Sequence, residues 1–237
     1  MVASRRPGFW LFAPMDGWEL EEFGSYGDSS ELSPRGDLEA ATWETNPVHL
    51  ERTRAIAGGI RQLVPLSREM RAMEVGCGTG LLSFALHGDV GSVLATDPSQ
   101  GMIGVLEDHL RERGIDNITA MRLDLAADPL PKGPFQLVFL QMALHHIPDV
   151  DGFLRTAREL LDPGGWLCVA DLDTEDGSFH GMGTEGVHLG FDRSDLVHHV
   201  EDTGFQALDI STVFEIRKEV QGTERRFPIF LLVARRD

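Results

Sequence analysis

The chain has 237 residues, of which 42% are hydrophobic, and it carries a formal net charge of −17 at pH 7. Its length suits one α/β domain with additions, and its apolar fraction is enough to form a core. So acidic a surface repels phosphate backbones and anionic lipid headgroups. The charge therefore argues against nucleic acid and membranes as partners, tolerates a cationic ligand, and also favours solubility.

The N-terminal part differs in composition from the rest of the chain. Residues 16–44 contain nine Asp or Glu and one Arg, together with Gly, Ser and Pro. This composition predicts a weakly ordered acidic arm over residues 1–36, followed by one domain over residues 37–237. The short apolar stretch near the N-terminus ends at Pro14, so we expect no signal peptide and no membrane span. The two cysteines lack metal or disulfide spacing, and we expect a cytoplasmic location.

Apolar periodicity predicts helices and strands that alternate along the domain. Helices are expected over 40–64, with a start or break at Pro47, and over 81–86, 101–113, 150–161 and 194–203. Strands are expected over 70–75, 91–96, 118–123, 135–140, 166–171, 208–220 and 225–235. Such alternation is typical of an α/β fold with a mostly parallel sheet, helices on both faces and, here, an antiparallel C-terminal hairpin. Because parallel strands end at one edge, residues just after the strands are the candidates for ligand binding.

Three glycines at alternate positions follow the first strand. Gly76, Gly78 and Gly80 come directly after it, and Glu74 precedes them. Glycine lets the backbone approach a ligand closely, although such a triplet can also be only a tight turn. A dinucleotide site has the spacing G-x-G-x-x-G, whereas this turn reads G-x-G-x-G, and Glu74 would repel a pyrophosphate. A nicotinamide-dependent oxidoreductase is therefore the weaker alternative.

An acid also follows each of the next two strands. Asp97 lies 17 residues beyond Gly80, where a carboxylate can accept both hydroxyl hydrogens of a ribose. Asp124 follows the third strand, where it can accept a hydrogen bond from an adenine amino group. Each has a plainer interpretation, Asp97 as a helix cap and Asp124 as a solvated loop residue. Together with Glu74, the acids favour an adenosine with a cationic tail.

Four segments together resemble the motifs of class I S-adenosylmethionine-dependent methyltransferases. They read Glu-Val-Gly-Cys-Gly-Thr-Gly, Thr-Asp-Pro-Ser, Leu-Asp-Leu and Leu-Leu-Asp-Pro-Gly-Gly. The resemblance covers residues 40–237 and is strongest for the small-molecule methyltransferases of ubiquinone and menaquinone biosynthesis. It implies a Rossmann-like, seven-stranded sheet of order 3-2-1-4-5-7-6 with strand seven antiparallel. It also implies methyl transfer from S-adenosylmethionine to carbon, nitrogen or oxygen of a small molecule, with S-adenosylhomocysteine as product. The acidic arm departs from the family.

The resemblance also assigns residues to the cofactor. It places the three glycines under the methionine part, Glu74 at the amino group, Asp97 at the ribose and Asp124 at the adenine. The residues expected to contact the cofactor are Glu74, Gly76, Cys77, Gly78, Gly80, Asp97, Pro98, Met102, Asp124, Leu125, Gln141 and Met142. A module that binds the cofactor without turnover is a further alternative.

Histidines near the strand ends are the candidate bases. Methyl transfer requires alignment of acceptor, methyl and sulfur, and a base helps where the acceptor carries a proton. His145 and His146 follow the fourth strand, whereas His180 and His188 lie in an insertion over residues 173–192. The first pair could instead cap a turn or contact the edge of the cofactor. The insertion is longer than an ordinary connection, and we expect it to act as a substrate lid.

Further residues are expected around the substrate. Trp43 and Asn46, near the start of the first helix, are assigned to the substrate site together with His180 and His188, although Trp43 could equally pack within the helix. The small-molecule substrate is the only partner that we predict. The oligomeric state stays open, with a homodimer as one alternative.

Four acids at and after the end of the fifth strand could form a metal site. Asp171, Asp173, Glu175 and Asp176 alternate with other residues, and hard cations such as Mg²⁺ prefer oxygen ligands. Alternating acids also commonly end a strand in solvent. We expect the second arrangement and predict no metal site.

Overall fold

The computed structural model describes residues 47–180 and 186–237. The acidic arm of residues 1–36 lies outside the described residues, as do Trp43 and Asn46. The predictions on them stay predictions. Within the described part of the chain, no helix is long and apolar enough to cross a membrane.

Helices and strands alternate along the described chain. The α-helices are α1 (Pro47–Leu63), α2 (Leu81–Leu86), α3 (Gln100–Arg113), α4 (Val150–Leu160) and α5 (Arg193–Asp202). The strands are β1 (Arg71–Val75), β2 (Ser92–Asp97), β3 (Ile118–Arg122), β4 (Phe135–Gln141), β5 (Leu161–Leu172), β6 (Phe205–Val220) and β7 (Thr223–Arg236). A short 3₁₀ turn, Leu144–His146, follows β4. The predicted elements are present with small shifts of their ends, except at the start of β5.

The start of β5 lies earlier than predicted. We expected a helix to residue 161 and a turn over 162–165 before a strand at Trp166. In the structure, Leu161 already pairs with Phe135 of β4, and the register shifts before Leu137 pairs with Trp166. The Asp-Pro-Gly-Gly segment is therefore an irregularity within the strand, a position where glycine and proline are tolerated.

The strands form one sheet in the order β3-β2-β1-β4-β5-β7-β6. Neighbours among β1–β5 are parallel, whereas β7 is antiparallel to both β5 and β6. This order confirms the one that the family resemblance implied. Gln221 and Gly222 close the β6–β7 hairpin, both with positive φ, as a two-residue type I′ turn requires.

Apolar side chains cover both faces of the sheet. Phe139 of β4 packs on the face covered by α1, α2 and α3, whereas its neighbour Val138 packs on the face covered by α4 and α5. The alternation follows from the period of two of a β-strand. Because both faces are covered, the edge formed by the carboxyl ends of β1–β5 is the place left for a ligand.

The buried face of α1 includes polar as well as apolar residues. Ile56 and Ile60 are buried, whereas Leu63 is 39% exposed. Arg52 and Thr53 are buried instead, at 4% and 3% exposure. They lie one turn before Ile56 on the same side of the helix. The second turn of α1 thus buries polar groups against the rest of the domain.

Candidate active site

The glycine turn and the end of β2 form one structural unit. The backbone nitrogen of Cys77 donates to the carbonyl of Thr96 at 2.9 Å, and that of Gly78 donates to Oδ2 of Asp97 at 2.8 Å. The structure thus places Asp97, the last residue of β2, directly against the turn that follows β1. Cys77 itself is buried, and burial raises the pKa of its thiol.

Two of the three glycines are needed by the protein's own packing. Gly76, Gly78 and Gly80 all have positive φ. A Cβ at Gly80 would lie 2.5 Å from Cδ1 of Leu106 in α3, and one at Gly76 would lie 2.7 Å from Cβ of Ala143. Close ligand approach is therefore not required to explain Gly76 and Gly80, which the sequence interpretation had assigned to it.

Glu74 lies fully buried beside this turn. Its Oε2 accepts a hydrogen bond from the backbone nitrogen of Ser83 at 2.9 Å and a second one from the Ser83 hydroxyl, whereas Oε1 has no partner. Burial raises the pKa of Glu74 to about 8, against the opposing effect of the Ser83 hydrogen bonds. Burial thus favours the neutral form of this side chain, although the sequence suggested a negative charge here.

Asp97 also organises the start of α3. Its Oδ1 accepts from the backbone nitrogen of Ser99 at 2.9 Å, and the Ser99 hydroxyl accepts from that of Met102 at 3.1 Å. Ser99 is the N-cap of α3, so the alternative in which Asp97 caps this helix is wrong. Pro98 is exposed and Met102 is buried.

Asp124 lies at the same edge of the sheet as Asp97. The backbone nitrogen of Leu123 donates to the carbonyl of Asp97 at 3.0 Å, which joins the two strand ends. Oδ1 of Asp124 accepts from the backbone nitrogen of Ala126 at 2.9 Å, and Leu125 is half-buried. The segment after β3 thus carries an acidic and an apolar side chain, and its start lies beside the end of β2.

The end of β4 is tied to α1 and to β5. Oε1 of Gln141 accepts from the Thr53 hydroxyl at 3.2 Å, and the backbone nitrogen of Met142 donates to the carbonyl of Ala170 at 2.8 Å. Met142 has a φ of +52°, a conformation uncommon for residues other than glycine. Such outliers cluster at functional sites, where the surrounding structure holds them.

His145 and Asp171 form a buried pair at the ends of β4 and β5. Nδ1 of His145 lies 2.6 Å from Oδ1 of Asp171, and the backbone nitrogen of His145 donates to Oδ2 at 3.1 Å. The backbone nitrogen of Leu172 also donates to Oδ1, at 2.7 Å. Nδ1 of His145 is placed to donate to this carboxylate, and in that tautomer of the imidazole the lone pair is on Nε2.

The prediction that Asp171 lies in solvent is wrong. Its exposed fraction is 0%, because it lies within β5, where the neighbouring β7 places Phe230 opposite it. The alternating pattern of acids suggested a solvated strand end. The pairing of β7 against β5 extends the strand past this position.

Two further histidines contact the buried pair. The ring centroids of His145 and His146 lie 4.1 Å apart, and those of His145 and His180 lie 5.0 Å apart. Burial and the neighbouring imidazoles lower the pKa of His146 to about 4. Burial, with a smaller effect of His145, lowers the pKa of His180. Nε2 of His180 is buried without a partner.

The fourth candidate histidine is held by two hydrogen bonds. The backbone nitrogen of His188 donates to the carbonyl of His145 at 2.8 Å, and its Nε2 lies 3.0 Å from the carbonyl of Ile147, to which it can only donate. The lone pair of a neutral His188 is therefore on Nδ1. This contact ties the insertion of residues 173–192 to the site, but residues 181–185 lie outside the described part, and the lid stays a prediction.

The other acids after β5 have separate partners. Asp173 accepts two hydrogen bonds from Arg193, each of 2.7 Å, and Asp176 pairs with Arg225. Glu175 accepts from the backbone nitrogen of Phe179. Over residues 47–180 and 186–237, no group of three His, Cys, Asp or Glu side chains is arranged to hold a metal ion.

Arg52 is a site residue that the sequence analysis missed. It is buried, its Nε has no hydrogen-bond partner, and burial lowers its pKa to about 10 against the opposing field of Asp171. A signal was present, because Arg52 lies four and eight residues before Ile56 and Ile60 on the apolar face of α1. A charged residue in register with a buried stripe indicates a special environment. Ser83, the partner of Glu74, was missed without such a signal.

Comparisons with known proteins agree with this geometry. Residues 72–165 match the model of a family described as a methyltransferase domain. The ubiquinone biosynthesis O-methyltransferase of Azorhizobium caulinodans is 31% identical over 173 residues, which cover 70% of this chain and 66% of that protein. That of Burkholderia vietnamiensis is 30% identical, over 62% of this chain and 64% of that protein. The chain thus spans a little under two thirds of the length of these curated relatives.

A solved structure shows the same fold. A methyltransferase described as putative from Bacillus halodurans superposes with a TM-score of 0.66 at 17% identity, over 76% of this chain and 97% of that one. In sequence and in fold, the chain is similar to the class I S-adenosylmethionine-dependent methyltransferases. Within that class, it is similar to the ubiquinone biosynthesis O-methyltransferases.

The residues at the strand ends fit the cofactor of this family. S-adenosylmethionine carries a sulfonium and an ammonium group, and the buried Oε1 of Glu74 has no partner among the described residues. Asp97 and Asp124 provide carboxylates at the two neighbouring strand ends. Three acidic side chains, Glu74, Asp97 and Asp124, thus lie at neighbouring strand ends. They favour a cationic nucleoside over a pyrophosphate as the ligand.

Proposed function

We propose that this protein transfers a methyl group from S-adenosylmethionine to a hydroxyl oxygen of a small molecule and releases S-adenosylhomocysteine. The observation that carries this proposal is the His145–Asp171 pair at the ends of β4 and β5, in which Nδ1 and Oδ1 lie 2.6 Å apart. The name of the relatives as O-methyltransferases supports the choice of oxygen. Bound S-adenosylmethionine supplies a methyl group that its sulfonium already activates.

The residues assigned to the cofactor bind S-adenosylmethionine and orient it. In this proposal, Glu74 releases its proton to solvent and accepts a hydrogen bond from the ammonium group. Asp97 accepts from the ribose hydroxyls, and Asp124 accepts from the adenine amino group. The glycine turn keeps its shape through Gly78, whose nitrogen donates to Asp97. Such positioning of reactants can contribute about 7–11 kcal/mol to lowering the barrier.

His145 removes the acceptor proton. Its Nε2 takes the hydroxyl proton, and the buried carboxylate of Asp171 holds the ring in this tautomer and stabilises the imidazolium that forms. A positioned base of this kind contributes about 10²–10⁴-fold to the rate. His146 and His180 have lowered pKa values, so they stay neutral and their rings exclude water from His145.

Binding tests the first half of the proposal. We expect titration calorimetry to show binding of S-adenosylmethionine and S-adenosylhomocysteine to the full chain and none of NAD. Binding of NAD without either sulfur ligand would instead support the oxidoreductase alternative.

Turnover tests the second half. A panel of small phenols, catechols and alcohols is screened for release of S-adenosylhomocysteine. With the best acceptor, His145→Gln and Asp171→Asn are expected to lower kcat by about 10²-fold or more, with unchanged affinity for S-adenosylhomocysteine. His198→Gln removes an exposed histidine on α5 and is the matched control. Cofactor binding with no turnover of any acceptor would favour the module that binds without catalysis.

A further inference from the structure

The β6–β7 hairpin extends beyond the end of β5. Leu172, the last residue of β5, pairs with Ile229 of β7, and the backbone nitrogen of Asp173 donates to the carbonyl of Pro228 at 3.1 Å. The hairpin tip, residues 216–227, lies beyond these contacts, and its two strands pair with each other. Because β5 ends at the carboxyl edge of the sheet, the tip lies past that edge, beside the candidate active site.

The segment that follows β5 is held against the hairpin tip. Nζ of Lys218 donates to the carbonyl of Phe179 at 2.6 Å, and Arg225 pairs with Asp176. Phe227, which is 4% exposed, packs edge-on against the ring of Phe179, with the two centroids 5.2 Å apart. The segment therefore takes its position from the hairpin as well as from β5.

Phe179 extends this contact to the proposed base. Its ring meets that of His180 edge-on, with centroids 4.9 Å apart, and the ring of His180 lies 5.0 Å from that of His145. Edge-to-face packing of this kind restricts the relative orientation of two rings. A continuous row of ring contacts thus runs from Phe227 to the histidine that Asp171 holds.

The buried member of this row orients the others. Phe179 and His180 are only half-buried, whereas Phe227 belongs to the apolar core on the face of the sheet that α1 covers. Its backbone is also fixed by the pairing with Ile216. A partly exposed ring keeps one rotamer only where a neighbour restrains it, and here the restrained neighbour is Phe227.

We propose that Phe227 is a positioning residue of the reaction, which acts through Phe179 to hold the ring of His180 against His145. This inference rests on the proposed function and adds a residue of the C-terminal hairpin to the site. The ring of His180 limits the access of water to the base and the directions in which the base can turn. Without Phe227, the base would be less well aligned with the acceptor.

Spectroscopy of the full, ligand-free chain tests this positioning without turnover. Phe227→Leu leaves unchanged the titratable groups that act on the pKa of His180, which are His145, Asp171, Glu175 and Lys218. Because burial lowers the pKa of His180, we expect this pKa to rise toward its ordinary value in Phe227→Leu. Proton–nitrogen correlation spectra measure it, with the resonances assigned by their absence from His180→Ala.

Phe153→Leu is the matched control for the spectra. Phe153 is 5% exposed and packs on the other face of the sheet, so its replacement removes a comparable ring away from the hairpin. The titration of His180 should stay as in the wild type. An unchanged titration in Phe227→Leu, or an equal change in Phe153→Leu, would overturn the inference.

Kinetics test whether this positioning matters for methyl transfer. With the best acceptor of the panel above, we expect Phe227→Leu to lower kcat about tenfold and to leave the dissociation constant for S-adenosylhomocysteine unchanged. In the His180→Ala background, Phe227→Leu should lower kcat no further, because the ring that it positions is absent. An equal loss in both backgrounds would mean a merely structural role and would overturn the inference, as would a wild-type kcat in Phe227→Leu.

A second variant decides if Phe227→Leu does not fold. Lys218→Met removes the hydrogen bond to the carbonyl of Phe179 at the surface and opens no cavity. We expect it to lower kcat about threefold or more, whereas Arg217→Met, which alters an exposed neighbour on β6, should keep the wild-type value. A wild-type kcat in Lys218→Met would then overturn the inference. If no acceptor is methylated by the wild type, it is the proposed function that fails, and the spectra still decide whether Phe227 holds His180.

Discussion

Glu74 and Ser83 are joined by two hydrogen bonds to the same carboxyl oxygen, while the other oxygen of Glu74 has no partner. The pair connects β1 to α2 across the turn that carries the three glycines. Burial favours the protonated form of such a carboxyl group, whereas a cation beside it would favour the ionised form. The first prediction follows from this pair.

Because of Glu74, the free energy of unfolding should decrease as the pH rises. Its pKa is about 8 in the folded protein against an ordinary value of 4.5, so the folded state binds the proton more tightly. The stabilisation is fully present below pH 4.5 and is lost as the pH rises through 8. Between pH 6 and 9, this amounts to about 2–3 kcal/mol.

Denaturant unfolding at both pH values measures the loss, and Glu74→Gln should remove most of it. Glu69→Gln, which alters an exposed acid just before β1, is the control and should keep the wild-type dependence. An equal pH dependence in Glu74→Gln and the wild type would assign the effect to another group.

Gly80 should tolerate no side chain. Its φ is +86°, and a Cβ would lie 2.5 Å from Leu106, so Gly80→Ala combines backbone strain with a steric clash. We expect a loss of about 2–4 kcal/mol in the free energy of unfolding, measured by urea titration. Gly88→Ala is the matched control, because no atom lies within 4 Å of a Cβ there. Equal stability of the two variants would contradict the packing argument.

Asp97 should contribute to cofactor binding. Asp97→Asn keeps one oxygen acceptor and puts an NH₂ group, which cannot accept a hydrogen bond, in place of the other. We therefore expect weaker binding of S-adenosylhomocysteine by about 1–3 kcal/mol, measured by titration calorimetry. Asp116→Asn, at an exposed position after α3, should bind as the wild type does. Unchanged affinity of Asp97→Asn would remove Asp97 from the cofactor site.

His180 should affect turnover more than cofactor affinity. Its ring packs on His145 and His146, and its Nε2 faces no protein partner. His180→Ala opens the space next to the proposed base to water, so we expect a fall in kcat of about tenfold or more with an unchanged dissociation constant for S-adenosylhomocysteine. Normal turnover in this variant would show that His180 has no part in the reaction.

His146 should stay neutral over the physiological range. Burial and two neighbouring imidazoles hold its pKa near 4. The imidazole resonances of His146, assigned by their absence from His146→Gln, should therefore shift little between pH 5.5 and 8 in proton–nitrogen correlation spectra. A midpoint of titration near 6.5 would mean that solvent reaches the ring.

The local pattern predicted much of the cofactor edge. Apolar runs separated by glycine and polar residues are enough to place β1, β2 and β4, and parallel pairing then brings Glu74, Asp97 and Asp124 to one edge. Two predictions from the local pattern were wrong. It placed Asp171 in solvent and ended α4 in a turn, because neither the pairing of β7 with β5 nor that of Leu161 with β4 can be inferred from neighbouring residues.

The sequence by itself determined the class of fold, the kind of cofactor that the acids suit and the family, because these depend on short segments and their order. Only the tertiary structure decided which histidine is paired with an acid, which glycines are required by packing and that Arg52 is buried. His145 and Asp171 are 26 residues apart, and Arg52 lies on another element. Burial and distance between such groups arise from packing, which no single segment specifies.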